Sequence, residues 1–189
     1  HISEINSELV YGLDNVQENK YSCRDFTKFK YANQVKDYFE SDEFLKWLSI
    51  ITGIGNLQKD EYNYGNGIHI IKENGKLNIH ADFNRHSKSK KYRRVNLLLY
   101  LNSNYNDEFN GKLELWNKEM TKCEKSIEPI FNRIVIFQID DDANHGHPEL
   151  WKSSSSDRIS LALYYYTDDR PEHEKSDRAC ALWKTKKIE

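Results

Sequence analysis

From residue 66 onward, the sequence is a series of short apolar runs separated by turn-forming residues. Several short strands at this spacing are typical of a β-sandwich or barrel of the jelly-roll kind. The turn-forming pair Asn74-Gly75 also predicts a β-hairpin between the first two runs. We therefore predict a mainly β core whose strands cover Ile68–Ile71, Leu77–Phe83, Val95–Leu101, Lys112–Trp116, Ile127–Ile130, Ile134–Ile139 and Ile159–Tyr166.

Residues 31–51 have helical periodicity instead. Apolar side chains recur there every three or four residues, which places them on one helical face. Ser41 is a candidate N-cap for a second helix, and Gly53 is its candidate end. The predicted class is therefore α+β, mainly β. Within one domain, 1–189, we predict a strand or loop at 1–30, helical support at about 31–52, a jelly-roll core at about 64–167 and a charged tail at 168–189.

Composition excludes several broad classes of protein. The 189 residues are 38% hydrophobic and 31% charged, and no apolar run approaches the ~20 residues that a membrane span needs. The net charge of −2 gives no overall attraction to nucleic acid or to acidic membranes. Three distant cysteines without a CxxC pair predict free thiols rather than a disulfide framework or a zinc site. No secretory leader is visible at the start, so we expect a cytoplasmic location.

The first chemically informative pattern is His80-Ala81-Asp82, near the end of a predicted strand. Side chains two residues apart in a strand point to the same side, so the imidazole and the carboxylate face the same way. Together they suit a divalent metal such as iron(II). Such pairs are common by chance, so this one predicts a metal site only with support from elsewhere in the chain.

Two downstream segments give that support. His145 and His147 follow the apolar strand Ile134–Ile139, and either histidine can supply a third metal ligand. Arg158 begins a strongly apolar strand, where a buried cation needs an anionic partner. Ser160 lies on the same face as Arg158, so the guanidinium and the hydroxyl together can bind a carboxylate.

The combined pattern indicates a type of chemistry. Two histidines and one carboxylate form the facial triad of non-haem iron(II) oxygenases, which leaves open coordination positions. A buried cation near the triad offers a site for the far carboxylate of a dicarboxylic 2-oxo acid. We therefore predict a site for iron(II), a 2-oxo acid co-substrate and dioxygen.

Taken in order, these motifs resemble the prolyl 4-hydroxylase-like branch of the 2-oxoglutarate and Fe(II)-dependent dioxygenases. The resemblance covers roughly residues 64–167 and depends on the order and spacing of the motifs. The motifs are His80-x-Asp82, Arg93–Asn102 (RRVNLLLYLN), Gly111–Trp116 (GKLELW), Pro129–Arg133 (PIFNR), His145–Pro148 (HGHP) and Arg158–Ser160 (RIS).

This resemblance implies a double-stranded β-helix, or jelly roll, with helices bracing one sheet. It also implies that 2-oxoglutarate is decarboxylated to succinate while dioxygen is split and a C–H bond is hydroxylated, with ascorbate as a reductant. The implied iron ligands are His80, Asp82 and His145. His147 is the alternative to His145, because strand geometry does not separate the two.

The resemblance also assigns contacts to 2-oxoglutarate. Arg158 matches the family's basic anchor, next to Ser160. Tyr100 lies where the family often places a tyrosine that hydrogen-bonds the C5 carboxylate. Three other histidines are interpreted as non-catalytic: His69, His86 and His173.

The substrate is less constrained than the chemistry. The resemblance favours a prolyl residue in a peptide or protein, and the basic segment Arg85–Arg94 is either a solvated loop or a lid over such a chain. The alternative substrate is a free amino acid or another small metabolite. A catalytically inactive binding module is disfavoured by the complete ligand set. A nucleic-acid base demethylase is disfavoured by the net charge of −2, although the basic segment keeps that alternative open.

Overall fold

The computed structural model of the protein describes residues 13–15 and 19–186. Its α-helices are α1 (Lys30–Phe39) and α2 (Asp42–Thr52), and 3-10 turns cover Phe26–Lys28, Asp107–Phe109 and Glu172–Glu174. The strands are β1 (Leu13–Asn15), β2 (Lys20–Cys23), β3 (Gln58–Lys59), β4 (Gly67–Ile71), β5 (Leu77–Ala81), β6 (Tyr92–Tyr100), β7 (Leu113–Trp116), β8 (Cys123–Ile127), β9 (Ile134–Gln138), β10 (Asn144–His147), β11 (Arg158–Thr167) and β12 (Leu182–Trp183).

The predicted helical segment is present as α1 and α2. The Ser41 hydroxyl caps α2 by accepting a hydrogen bond from the Phe44 amide at 3.3 Å, and acidic residues in the first turn favour the positive end of the helix dipole. The helix ends at Gly53, whose left-handed φ of 70° is easily adopted without a Cβ. Phe44 and Leu48 point inward, so one stripe of α2 joins the core.

The described strands form two antiparallel sheets. The large sheet has the order β1-β2-β4-β11-β6-β9, with β3 also paired to β11, and the small sheet has the order β12-β5-β10-β7-β8. Neighbouring strands in both sheets are mostly non-consecutive in sequence, as a jelly roll requires. The predicted mainly β jelly-roll fold with supporting helices is therefore confirmed.

One face of the large sheet packs against the helices, and the other faces the small sheet. Alternate residues of β6 and β11, such as Leu97 and Leu163, pack in the same core cluster as α2. Residues of the opposite set, such as Tyr100 and Ser160, point toward the small sheet, where Tyr100 packs with Leu113. The helices therefore brace the outer face of the large sheet, while polar side chains gather between the two sheets.

The hairpin predicted at Asn74-Gly75 is wrong. A turn is present, because the Gly75 amide donates to the Lys72 carbonyl at 2.8 Å and Asn74 has a φ of 61°. However, β4 pairs with β2 and β11 in the large sheet, whereas β5 pairs with β10 and β12 in the small sheet. Turn residues fix a local reversal of the chain but not the strand that will pair, so this turn connects the two sheets.

Other predictions of local structure also need correction. The strand predicted at Ile127–Ile130 lies earlier, at β8, and Pro129, which cannot donate to a ladder, lies beyond its end. The end of the predicted basic loop belongs to β6, which begins at Tyr92. The charged tail, for which no strand was predicted, supplies β12 at the edge of the small sheet. The polar strand β10 has no apolar alternation and was not predicted.

Three further expectations concern the ends, the cysteines and the membrane. The strand or loop predicted at 1–30 includes β1 and β2, while residues 1–12 and 16–18 lie outside the described part. Cys23, Cys123 and Cys180 are free thiols, as predicted. Neither α-helix in the described chain has the length and apolarity needed to cross a membrane.

Candidate functional site

Two neighbouring strands of the small sheet bring His80 and His145 together. His145 on β10 pairs with His80 on β5, and their ring centroids lie 4.6 Å apart. Asp82 directly follows β5, and each of its carboxylate oxygens lies 3.4 Å from Nε2 of one histidine. One ligand atom from each of the three residues lies within 4.8 Å of the others, a geometry that can hold a metal ion.

Hydrogen bonds at the outer nitrogens fix the orientation of both imidazoles. Nδ1 of His80 donates to the Asn78 carbonyl at 2.9 Å, and Nδ1 of His145 donates to the Ala143 carbonyl at 2.8 Å. A carbonyl only accepts, so Nδ1 carries a proton in each ring, and Nε2 is the nitrogen that faces Asp82 and can bind a metal. Two such nitrogens and one carboxylate form a donor set that suits iron(II).

A buried cation fixes the charge of the Asp82 carboxylate. Nη2 of Arg93 lies 2.8 Å from Oδ2 of Asp82, as an ion pair rather than an aligned hydrogen bond. Nδ2 of Asn96 donates to the same oxygen at 2.8 Å, and Nε of Arg93 donates to Oδ1 of Asn96 at 2.9 Å. Burial alone raises the pKa of Asp82, but Arg93 and His145 outweigh it and hold this pKa well below its usual range. The carboxylate is therefore anionic.

This position of Arg93 corrects the prediction of a solvated loop or lid at residues 85–94. Arg93 is 1% exposed and lies on β6, with its guanidinium carbon 3.4 Å from the ring centroid of Tyr164. A run of basic residues does not reveal which of them turns inward. The end of the basic segment therefore contributes to the site from within the sheet.

The rest of the basic segment folds around His86. This side chain is fully buried, and its Nδ1 accepts hydrogen bonds from the amides of Lys88 and Ser89 at 3.0 and 3.1 Å. Its Nε2 lies 3.5 Å from Oδ1 of Asp60, in the segment before β4. His86 thereby has a structural role, because it connects two loops.

A cavity of about 90 Å³ is lined by the three ligand candidates and also by Arg158 and Ser160. Arg158 is 4% exposed, and its Nε donates to the Gly111 carbonyl at 2.7 Å. Within the described part of the chain, no carboxylate forms an ion pair with Arg158, and burial lowers its pKa. A buried cation without an anionic protein partner is costly, so this position suits an anionic ligand.

Tyr100 and Ser160 lie opposite each other across β6 and β11. Ser160 lines the cavity, whereas Tyr100 is fully buried behind it and is not part of the lining. Nη2 of Arg158 donates to the Tyr100 hydroxyl at 3.4 Å. Burial raises the pKa of Tyr100, so the hydroxyl keeps its proton. Tyr100 thus contacts the guanidinium rather than the cavity.

His147 lines the cavity but lies outside the three-residue group. It is 3% exposed, and its buried Nδ1 has no hydrogen-bond partner among the described residues. The pairing of β10 with β5 shifts register between His145 and His147, so His147 lies opposite Leu77. Burial and the charge of Arg158 hold the pKa of His147 well below its usual range, so the ring is neutral.

Some parts of the site were not predicted from the sequence. His69 lines the cavity as well, with its Nε2 3.1 Å from the Gly65 carbonyl, whereas His173 is largely exposed in the tail. Trp183 on β12 lies with its ring centroid 4.9 Å from that of His80. The only hint of this contact in the sequence is Trp183 itself, an aromatic residue late in a charged segment.

Comparison with protein families gives one match. A family model described as the 2OG-Fe(II) oxygenase superfamily matches residues 66–166, which is more than half of the chain. The matched region contains His80, Asp82, His145 and Arg158. None of the curated protein sequences matches the chain.

Solved structures with similar folds include two prolyl hydroxylases. A prolyl 4-hydroxylase structure from Phytophthora capsici is 18% identical, with a TM-score of 0.51, and the alignment covers 78% of this chain but only 47% of that one. A Trichoplax adhaerens prolyl hydroxylase, in complex with a hypoxia inducible factor oxygen degradation domain peptide fragment, is 21% identical, with a TM-score of 0.55 and coverages of 83% and 69%.

A third similar structure is HygX from Streptomyces hygroscopicus. It is 12% identical, with a TM-score of 0.55, and the alignment covers 93% of this chain and 84% of that one. At these identities, the structural similarities show the fold. The family match and the geometry of the cavity do not depend on these structural similarities.

Proposed function

The chain belongs to the 2OG-Fe(II) oxygenase superfamily, and we propose that it hydroxylates a prolyl residue in a peptide or protein while 2-oxoglutarate and dioxygen become succinate and carbon dioxide. The observation that carries the proposal is the convergence of His80, Asp82 and His145 beside the buried Arg158 in one cavity. A metal and an anionic co-substrate that bind each other need adjacent sites, and this cavity is lined by candidates for both.

The proposed iron ligands are His80, Asp82 and His145, with His145 preferred to His147. The donor set fits iron(II), because two imidazoles are oriented by backbone carbonyls and the carboxylate is kept anionic by Arg93. Bound iron(II) and 2-oxoglutarate together supply the activation of dioxygen and the cleavage of a substrate C–H bond. His80, Asp82 and His145 would supply three protein ligands to that iron.

The proposed 2-oxoglutarate anchor is Arg158, which binds the distal carboxylate through its guanidinium. The Ser160 hydroxyl, two residues along the same strand face, donates to the same ligand. Tyr100 orients the guanidinium from behind. Apolar side chains elsewhere on the cavity wall limit the access of water; they include Leu98, Leu113 and Phe137.

Support for a peptide substrate comes from fold similarity. Both prolyl hydroxylases share the jelly roll, and the Trichoplax adhaerens protein was solved with a peptide fragment bound. This support is an analogy, since a fold hosts many substrates. The peptide substrate is therefore proposed from the shared fold.

A small molecule is the second candidate substrate. HygX, solved with nickel, 2-oxoglutarate and hygromycin B bound, aligns with 93% of this chain, a larger share than either prolyl hydroxylase. The chemistry at the metal is the same in both proposals. They differ in the molecule that receives the oxygen.

The experiment measures succinate formation by the purified protein with iron(II), ascorbate and 2-oxoglutarate, over panels of proline-containing peptides and of small amino acids and aminoglycosides. Mass spectrometry detects one added oxygen, and His80→Ala is the inactive control. A peptide that gains oxygen in step with succinate supports the first proposal, and a small molecule that does so supports the second. Bound iron with no succinate under any condition contradicts both and indicates a binding module.

A further inference from the structure

The C-terminal segment approaches the metal-ligand candidates from outside the region that defines the family. The family model ends at residue 166, whereas β12 begins at residue 182. Trp183 pairs with His80 across β12 and β5, and the Lys184 amide donates to the Ile79 carbonyl at 2.9 Å. The segment therefore adds an edge strand directly beside the strand that carries His80.

Trp183 also contacts His80 through its ring. The ring centroids lie 4.9 Å apart with an angle of 43° between the planes, and Trp183 remains about half exposed. The indole thus packs against the imidazole at a tilt, while about half of the Trp183 side chain meets solvent. A strand of two residues contributes few hydrogen bonds, so the segment needs a further anchor to stay in place.

Arg178 is that anchor. Its Nη2 donates to the Asp82 carbonyl at 2.7 Å, and its Nη1 donates to the Ala81 carbonyl at 3.2 Å. Its Nε donates to Oδ1 of Asp141 at 2.8 Å. Asp141 lies in the turn that leads into β10 and His145. A single guanidinium therefore connects the two separate segments that carry the metal-ligand candidates.

The backbone of Arg178 extends this connection. Its carbonyl accepts hydrogen bonds from the amides of Asn84 and Arg85 at 2.9 and 3.1 Å. Nδ2 of Asn84 donates to the same Asp141 oxygen at 2.6 Å. The Arg178 side chain is only 16% exposed, so its charged contacts are weakened less by solvent than those of a surface ion pair.

We propose that Arg178 is a positioning residue for the metal site, and that the C-terminal segment raises metal affinity through it. The inference depends on the proposed function in one respect, the assignment of His80, Asp82 and His145 as ligands. A metal ion binds tightly only when all three side chains hold fixed positions relative to one another. His80 and Asp82 lie on one chain segment, whereas His145 lies on another. Arg178 fixes the relative position of these segments without touching the metal.

The test is Co(II) titration of the full chain, followed by the visible absorption of the bound ion. Arg178→Met keeps most of the aliphatic stem and removes all five N–H donors. Loss of contacts that orient metal ligands typically weakens metal binding by about 10–100-fold, so we expect the Co(II) Kd to rise by that factor. We also expect the absorption bands to change, since they report coordination geometry.

Two variants separate positioning from general effects. Arg178→Lys should restore only part of the affinity, because one ammonium lacks the planar fork that reaches Asp141 and the two carbonyls together. Lys175→Met removes a cation from the same segment, where its partners are Asp169 and Glu172, and should leave the Co(II) affinity and spectrum unchanged. If Arg178→Met does not fold, Asp141→Asn tests the same connection with a smaller expected rise in Kd.

The outcomes are distinct. An Arg178→Met protein with lower melting temperature but unchanged Co(II) affinity and spectrum shows a purely structural role and overturns the inference alone. A wild-type protein that does not bind Co(II) overturns the metal-ligand assignment and the inference with it.

Trp183 tests whether the segment is docked in solution. Bound Co(II) quenches nearby indoles most strongly, and Trp183 packs directly on a proposed ligand. We expect Trp183→Phe to lose most of the metal-dependent quenching of tryptophan fluorescence. The same quenching in Trp183→Phe as in the wild type means that the segment lies away from the metal, which overturns the inference.

Discussion

Nη2 of Arg93 lies 2.8 Å from Oδ2 of Asp82, and both side chains are largely buried. An arginine in a protein is always charged, so this contact places a permanent cation beside a carboxylate that is proposed to bind iron. The carboxylate also lies 3.4 Å from two imidazole nitrogens. Arg93 therefore stabilises the anion in the metal-free protein, before a metal ion can do so.

We predict that Arg93→Met lowers the free energy of unfolding of the metal-free protein by about 3–5 kcal/mol, the usual cost of leaving one partner of a buried ion pair alone. Urea unfolding measures the change. Arg94→Met is the control, because Arg94 pairs with Glu174, whose side chain is one-third exposed, and should cost less. Equal losses of unfolding free energy in the two variants would show that the ion pair with Asp82 contributes no more to stability than the pair of Arg94 with Glu174.

The ligand candidates were predictable because their signals are local. Strand alternation places His80 and Asp82 on one side, and an arginine at the head of an apolar strand marks a buried cation at Arg158. The structure brings these residues to one cavity. Short-range periodicity marked each of these residues as a candidate, whereas joining them into one site depended on the order and spacing of the motifs along the chain.

Arg93 and Arg178 were not predictable in the same way. Each lies in a charged segment, and a run of charges indicates a solvated surface unless the partner across the fold is known. The partner of Arg178 is Asp141, and their contact depends on how the tail packs. The turn at Asn74-Gly75 gave a similar error, because it fixes a reversal but not the pairing of strands.

The choice between His145 and His147 leads to a second prediction. His145→Ala should abolish tight Co(II) or iron(II) binding, because it removes one of three proposed ligands, whereas His147→Ala should retain it. Titration of each metal-free variant measures the difference, and circular dichroism checks the fold. The reverse pattern would assign the third ligand to His147 and require the register of β10 to differ from that observed.

We expect Arg158→Met to weaken the binding of 2-oxoglutarate but to leave metal binding unchanged. Hydrogen bonds to a charged group contribute about 1.5–3 kcal/mol, so the Kd for 2-oxoglutarate should rise by roughly 10–150-fold. The measurement is calorimetric titration of the Co(II)-loaded protein. As a control, 2-oxopentanoate lacks the distal carboxylate and should bind both proteins equally. A similar loss of affinity for both ligands would show that Arg158 does not act through the distal carboxylate.

The pairing of Asp141 with Arg178 predicts a specific dependence of stability on pH. Burial raises the pKa of Asp141, but the hydrogen bond and charge of Arg178, with Ser176 and Asn84, lower it overall below the ordinary 3.8. A carboxyl whose pKa is depressed by folding stabilises the protein fully above its unfolded pKa, and this contribution is lost as the pH falls through the folded pKa.

Asp141→Asn should therefore lower the free energy of unfolding at neutral pH, with the difference from wild type shrinking below about pH 4. Urea unfolding of the metal-free proteins at several pH values measures this. Because the Asp141 side chain is about half exposed, screening by solvent keeps the effect modest. In the Arg178→Met background, most of the pH-dependent difference should disappear, since the two residues act as a pair. A difference that persists unchanged there would mean that Asn84 and Ser176, rather than Arg178, set the charge of this carboxylate.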